Sequence, residues 1–172
     1  ALAGQTPAFA YIYERYGPPP LWDREPGFAT LLQIILEQQV SLASAKACFT
    51  KLEFRLGKVT PENFLSINDF DLKKDGFSRQ KAGYCRGLAA AIGEGTLNLV
   101  ELEHLPDEEV KARLVALKGI GHWTADIYLL MALLRPDVMP RGDIALHSAW
   151  NRLSGERKPT AEEFLEIAER WR

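Results

Sequence analysis

The chain has 172 residues, of which 47% are hydrophobic, so it fits one ordinary folded domain and is not an intrinsically disordered chain. Its 21 basic and 23 acidic residues give a net charge of -2, so any site for a polyanion must be local. Cys48 and Cys85 stand far apart without a Cys/His cluster, which excludes a zinc or iron–sulfur site built from thiolates and favours two reduced structural thiols.

The N-terminal sequence lacks the basic start and apolar core of a secretion signal, and no apolar run reaches the ~18 residues typical of a membrane span. We therefore expect a soluble, cytoplasmic protein with no membrane partner.

Apolar residues recur at spacings of three and four along the whole chain, whereas the alternation typical of strands is nearly absent. The sequence therefore predicts an all-α fold. The predicted helices cover about residues 6–16, 27–38, 42–56, 61–66, 78–92, 107–117, 122–134, 143–153 and 161–171.

Several predicted helices have recognisable ends. Thr160 and Glu163 are spaced as a capping box, and Gly17 and Gly57 occupy positions where left-handed C-terminal residues occur. Two runs, 31–36 and 127–134, are apolar on every face, which predicts buried central helices.

The segment "KGIGHWTA" (118–125) joins two of these helices through a turn with two glycines. Gly119 and Gly121 can adopt positive φ and leave the backbone accessible, and a helix beginning near His122 presents unsatisfied amides to an anion such as phosphate. An ordinary helical hairpin with Gly119 as a C-terminal cap has the same spacing, so the glycines alone do not decide between the two interpretations.

Three further segments accompany this turn: "ILEQQVSLASA" (35–45), "GFSRQKAGY" (76–84) and "RPDVMPRGDIALHSAW" (135–150), which places Asp143 22 residues after Gly121. Together with "LKGIGHWTA" (117–125) they resemble, in order, the signatures of the helix-hairpin-helix (HhH-GPD) DNA glycosylase superfamily, in the branch of 3-methyladenine DNA glycosylase II. The resemblance spans about residues 7–172. Lys118 stands where the family usually has proline.

The resemblance implies two helical lobes with a DNA-binding cleft between them. One lobe would comprise about residues 27–105 and the other about 1–26 with 106–172, the hairpin covering about 107–134. It also implies a monomer that acts on double-stranded DNA containing a damaged base and is associated with the bacterial nucleoid. The family pattern continues beyond residue 172 into a final helix, which we expect this chain to lack.

Asp143 matches the family's catalytic aspartate. Cleavage of an N-glycosidic bond develops positive charge on the sugar, which a carboxylate stabilises while it orients or deprotonates the attacking water. Asp143 also precedes "IALHSAW", so it can be a helix N-cap, and the two roles are compatible.

Trp123 occupies the position where family members that also cut the DNA backbone carry a lysine, so the resemblance implies a monofunctional enzyme without lyase activity. Trp123 could stack on a flipped, alkylated base, or it could be a plain core residue. Ile127 stands where the alkylpurine enzymes place a tyrosine, as a second residue of the base pocket.

The resemblance also implies a set of DNA contacts. Gln39 matches the residue that fills the space left by the flipped base, with Gln38 beside it, although either residue fits a polar helix end. The remaining predicted contacts lie in the hairpin and in the two other motifs, namely Ser78, Arg79, Lys81, Lys118, Gly119, Gly121, His122, Thr124 and Arg141. A solvated basic face is the alternative interpretation of the charged members.

No cofactor is expected, except one structural Na⁺ or K⁺ that the family holds in the hairpin. Its ligands here would be the backbone carbonyls of Val115, Leu117 and Ile120. Two alternatives to a glycosylase remain at this stage: a relative that binds damaged DNA without chemistry, and a structural helical domain whose hairpin contacts another protein.

Overall fold

The computed structural model describes residues 2–171, and the regular secondary structure in that range is entirely helical, which confirms the all-α prediction. The α-helices are α1 (Pro7–Tyr16), α2 (Phe28–Glu37), α3 (Leu42–Leu56), α4 (Pro61–Leu65), α5 (Asp69–Asp75), α6 (Arg79–Gly93), α7 (Leu99–Leu102), α8 (Asp107–Val115), α9 (His122–Met131), α10 (Ile144–Ser154) and α11 (Ala161–Ala168). Short 3₁₀ helices cover Leu2–Gly4 and Glu169–Trp171. Within the described range, every helix is too short or too polar to cross a membrane.

Nine of these helices match predicted segments, but α5 and α7 were not predicted. Both are too short to display a helical repeat, and each begins with an asparagine cap, Asn68 or Asn98. Helix α9 ends earlier than predicted, at Met131. The chain turns there, because Leu134 has a φ of 50° and the Arg135 amide donates back to the Leu129 carbonyl.

The predicted capping box is confirmed: Thr160 accepts from the Glu163 amide, and the Glu163 carboxylate accepts from the Thr160 amide. Gly17 and Gly57 have positive φ values of 76° and 69°, as expected. Their ψ values of -169° and -60° lie outside the left-handed helical region, so the glycines reverse the chain without completing a left-handed cap.

The chain divides into two compact units, the larger of which is Arg24–Pro136. Its centre is α2, with seven of ten residues buried, and α9 packs against it. Burying side chains such as Leu31, Ile34 and Ile35 contributes roughly 1.5–3 kcal/mol each to stability. The first apolar run is therefore a central helix as predicted. The second is buried at Ile127–Leu129 and becomes exposed by Leu134.

The hairpin α8–α9 belongs to this unit, together with residues 27–105. We expected it in the other lobe. The difference arises because α9 packs on α2, so the contacts of the hairpin helix lie mainly with the helices that precede it.

The second unit, described over residues 2–23 and 137–171, has an aromatic centre. The Trp171 ring lies 5.0 Å from Phe9, 5.1 Å from Trp150 and 6.2 Å from Phe164. These contacts join α1, α10 and α11, and Asp143 lies at the N-terminus of α10.

The ion pair at the start of α11 makes part of the stability depend on pH. Arg157, with the Thr160 amide, lowers the pKa of Glu163 to about 2. The carboxylate therefore stabilises the fold above its ordinary pKa of 4.5, and this contribution is lost as the pH falls through about 2. We expect Glu163→Gln to lower the urea midpoint at pH 6 and to converge with the parent chain near pH 2.

Glutamine retains the capping geometry, so the comparison isolates the charge. Glu166→Gln on the same helix is the matched control, because it leaves the Arg157 pair intact, and we expect its difference from the parent to change less between pH 6 and pH 2. A pH-independent difference for Glu163→Gln would contradict the assignment.

Candidate nucleic-acid interface

The two glycines of the hairpin turn have different roles. Gly119 has a φ of +95°, in the region that favours glycine, whereas Gly121 has an ordinary φ of -97° and forms the N-cap of α9. The positive φ expected at both positions is thus found only at Gly119. No side chain caps α9, so its positive end is left to the backbone and to any bound anion.

Gly119 also lies against an aromatic ring. A Cβ built on Gly119 would lie 2.0 Å from Cγ of Tyr84, which is closer than any real contact. Tyr84 projects from α6 and accepts a hydrogen bond from Gln80 Nε2 at 2.6 Å. The sequence predicted a turn at Gly119, but it did not show that the Tyr84 ring leaves no space for a side chain at this position.

Gln38 binds the protein itself. Its Nε2 donates to the Gly119 carbonyl and to Thr124 Oγ1, both at 2.9 Å. Thr124, also predicted to contact DNA, is only 1% exposed, and its buried hydroxyl is bound to Gln38. The Gln38 side chain is thus hydrogen-bonded to the hairpin and is not free to enter the space left by a flipped base.

Gln39, the residue predicted to fill the space of a flipped base, is exposed and has a φ of +55°. Non-glycine residues seldom adopt this conformation, and where they do the surroundings hold them there. Val40 beside it is 45% exposed. The turn after α2 thus presents a polar and an apolar side chain outward, which suits insertion into a base stack.

Lys81 was predicted to contact DNA phosphate, but its ammonium group is used inside the protein. It donates to the carbonyls of Leu36 at 2.6 Å and Gln38 at 2.8 Å, at the C-terminal end of α2. Partial burial lowers the pKa of Lys81. Lys81 therefore stabilises a helix end.

The other predicted contacts of this unit are exposed. Arg79, Lys118, His122 and Gly121 all lie on the surface, and Gly119 is half-buried. Ser78 is also exposed, and its hydroxyl caps α6 by accepting from the Lys81 amide at 3.1 Å.

Helix α9 carries both predicted base-pocket residues. Trp123 is partly exposed, so it is neither a fully buried core residue nor a fully exposed ring. Ile127 is 5% exposed and belongs to the core, so it offers a base little surface. Sequence reasoning missed the ion pair between Asp126, 4% exposed, and Lys111 on α8, which joins the two hairpin helices at 3.2 Å. An aspartate within an apolar run was its only signal.

Asp143 lies in the other unit, at the N-terminus of α10. Its Oδ1 accepts from the amides of Ala145 at 2.9 Å and Leu146 at 3.0 Å, which confirms the cap. The side chain is only partly buried, and the helix dipole favours its negative charge. Arg141, predicted to contact DNA, forms an exposed ion pair with Glu162 at 2.7 Å, which DNA phosphate could replace at small cost.

A metal site made of side chains is not found in residues 2–171, which contain no suitable group of three or more His, Cys, Asp or Glu. A cation at the hairpin would have to be held by the backbone carbonyls of Val115, Leu117 and Ile120. The Leu117 carbonyl already accepts from the Ile120 amide at 3.1 Å, which leaves one lone pair for such a cation.

Comparison with known proteins shows the family of the chain. Residues 32–172 match the family model "HhH-GPD superfamily base excision DNA repair protein". The structure is similar to that of a Schizosaccharomyces pombe 3-methyladenine DNA glycosylase in complex with abasic DNA, with a TM-score of 0.92, 27% identity and coverage of 98% of this chain and 86% of that one. It is also similar to a 3-methyladenine DNA glycosylase from Archaeoglobus fulgidus, with a TM-score of 0.82, 29% identity and coverage of 99% and 62%.

Among curated sequences, the chain is 28% identical over 142 residues to DNA-3-methyladenine glycosylase 1 of Schizosaccharomyces pombe, covering 80% of this chain and 62% of that protein. It spans 59% of the length of a Bacillus subtilis relative to which it is 30% identical. The chain thus corresponds to less than two thirds of these relatives.

The hairpin glycines allow a matched test of the turn. We expect Gly119→Ala to destabilise the protein by about 1–3 kcal/mol or more, because it forces an alanine to a φ of +95° and against Tyr84. Gly121→Ala is the control, since its φ is ordinary and nothing lies within 4 Å of an added Cβ. Urea unfolding measures both, and equal effects of the two substitutions would contradict the packing at Gly119.

Proposed function

Because the chain belongs to the HhH-GPD superfamily of base excision DNA repair proteins, we propose that it is a monofunctional DNA glycosylase. It would hydrolyse the N-glycosidic bond of alkylated purines of the 3-methyladenine and 7-methylguanine type and leave an abasic site. The names of its curated and structural relatives support this substrate class.

The observation that carries the proposal is the anchored carboxylate of Asp143. Two backbone amides fix its Oδ1 at the start of α10. An alkylated purine is already cationic, so the bond between C1′ and the base nitrogen can break without protonation of the base. The carboxylate stabilises the positive charge that develops on the sugar, and it orients the attacking water. The water oxygen forms a bond to C1′, and the carboxylate accepts the proton that the water loses.

Trp123 supports the assignment to hydrolysis. A lyase forms a Schiff base between an amine and the sugar, and an indole cannot supply that amine. Its partly exposed ring can instead stack on a cationic purine with a cation–π attraction of roughly 0.5–2 kcal/mol.

Double-stranded DNA with a damaged base is the proposed partner, bound by a monomer. The amides at the start of α9 and the exposed cations Arg79 and Lys118 would contact phosphates, and Gln39 would fill the space of the flipped base. A Na⁺ or K⁺ bound by the three hairpin carbonyls would stabilise the turn, and no further cofactor is proposed.

The catalytic role is tested with Asp143→Asn. Asparagine is an equally good N-cap, so the fold is retained while the charge is lost. We expect the rate of base release from a duplex containing one 7-methylguanine to fall about 10²–10⁴-fold. Release is measured by strand scission in hot alkali and by mass spectrometry of the freed base, which also ranks other lesions.

Asp137→Asn, an exposed aspartate in the segment preceding α10, is the matched control and should retain the parent rate. Equal release by Asp143→Asn and the parent would refute the catalytic assignment. Lesion-dependent binding without any release by the parent would identify a damage-binding relative.

Absence of lyase activity is tested separately. We expect an abasic duplex incubated with the protein to remain intact until alkali is added, and borohydride to trap no covalent complex, because no amine stands at position 123. A trapped complex that survives denaturing electrophoresis would overturn the monofunctional assignment.

A further inference from the structure

The turn after α2 holds a disfavoured backbone conformation. Gln39 has a φ of +55° and is exposed, and the turn is followed at once by α3, whose N-cap is Ser41. Such a conformation persists only where neighbouring contacts determine it. Two side chains provide these contacts: Lys81, which projects from α6, and Gln38, which directly precedes Gln39.

The first is Lys81, which lies 43 residues from Gln38 in sequence. Its Nζ bridges the Leu36 carbonyl in the last turn of α2 and the Gln38 carbonyl directly before Gln39. A cation at this place offsets the negative end of the helix dipole and satisfies carbonyls that have no partner in the helix. The position of Lys81 is itself fixed, because Ser78 caps the turn of α6 from which it projects.

The second is Gln38. Its Nε2 donates to the Gly119 carbonyl in the hairpin turn and to Thr124 Oγ1 in the first turn of α9. One side-chain nitrogen therefore joins the turn that carries Gln39 to the turn that presents the α9 amides. All of these residues belong to the unit Arg24–Pro136.

We propose that Lys81 and Gln38 are positioning residues that hold Gln39 in its outward conformation and at a fixed distance from the hairpin. Gln39 and the turn that presents the α9 amides then contact one duplex as a single rigid surface. Because the turn is ordered before DNA arrives, the entropy of ordering it does not weaken the lesion complex. This inference rests on the proposed function, but it assigns Lys81 no contact with DNA.

The test compares binding of the full chain to a duplex with a central abasic-site analogue and to the undamaged duplex, with 2-aminopurine beside the lesion position as a fluorescent reporter of unstacking. The variants are Lys81→Met, Lys81→Arg, Gln38→Leu, Gln39→Ala and the double variant Lys81→Met/Gln39→Ala. Arg86→Met is the matched control. It removes the same charge from α6, and its guanidinium likewise donates to a carbonyl, that of Ile67 at 2.6 Å, away from the turn.

We expect Lys81→Met to lower the preference for the abasic duplex roughly tenfold, and to lower the 2-aminopurine fluorescence change by a similar factor. The affinity of Lys81→Met for undamaged DNA, and the salt dependence of that affinity, should match those of Arg86→Met. Lys81→Arg should restore most of the preference, because it keeps a cationic donor. Gln39→Ala should cost a similar amount, and the double variant no more than either single variant, since both act through one side chain.

Several results would overturn the inference. One is an unchanged preference for the abasic duplex in Lys81→Met. Another is a loss of that preference in the double variant that equals the sum of the losses in the single variants. A third is equal weakening on both duplexes with a salt slope lower by about 1 than that of the control, which would make Lys81 a phosphate contact. If Lys81→Met does not fold, Gln38→Leu decides by the same criteria, because it removes the other side chain that holds the turn. A parent chain that shows no preference for the abasic duplex would refute the proposed function itself, whereas a parental preference that the variants retain refutes only this inference.

Discussion

The hairpin depends on the direct packing of the Tyr84 ring against the backbone of Gly119. A side chain at position 119 would occupy the space of the ring, and the φ of +95° that brings the backbone there also favours glycine. The Gly119 carbonyl, placed by this contact, accepts the hydrogen bond from Gln38. Helices α2, α6 and α9 are thereby connected through one residue, and the position of the amides at the start of α9 follows from that connection.

The structure also explains how a chain with a net charge of -2 can be suited to a polyanion. Among the cations predicted to contact phosphate, Lys81 is bound to carbonyls and Arg141 is paired with Glu162. Arg79 and Lys118 remain exposed. In the proposed complex, backbone amides would therefore contribute more of the anion binding than the sequence indicated. A neutral amide does not neutralise a phosphate, so it releases few of the counterions bound to DNA. Such an interface would therefore depend less on salt than one made of lysines and arginines.

Features fixed by neighbouring residues were predictable from the sequence. The helix ends at Thr160 and Asp143, and the positive φ of Gly119, follow from local hydrogen bonding and sterics, and all are found. The roles of Lys81 and Gln38 could not be predicted in this way. Their partners lie 43 to 86 residues away, so only the packing of α6 and α9 around α2 brings the donors to the carbonyls. A motif identifies such polar residues without showing whether they face a ligand or the protein.

In the proposed reaction, the charge of the leaving base determines how much machinery the protein must supply. A purine alkylated at N3 or N7 carries its own positive charge and leaves as a neutral molecule. A carboxylate for the sugar, such as Asp143, is then sufficient. A neutral lesion must receive a proton as it leaves, which requires a general acid held within hydrogen-bond distance of the base. On α9, the helix that carries Trp123, the buried carboxylate of Asp126 is paired with Lys111 and links α8 to α9. In the proposed reaction on a base that is already cationic, α9 therefore need not supply a proton donor.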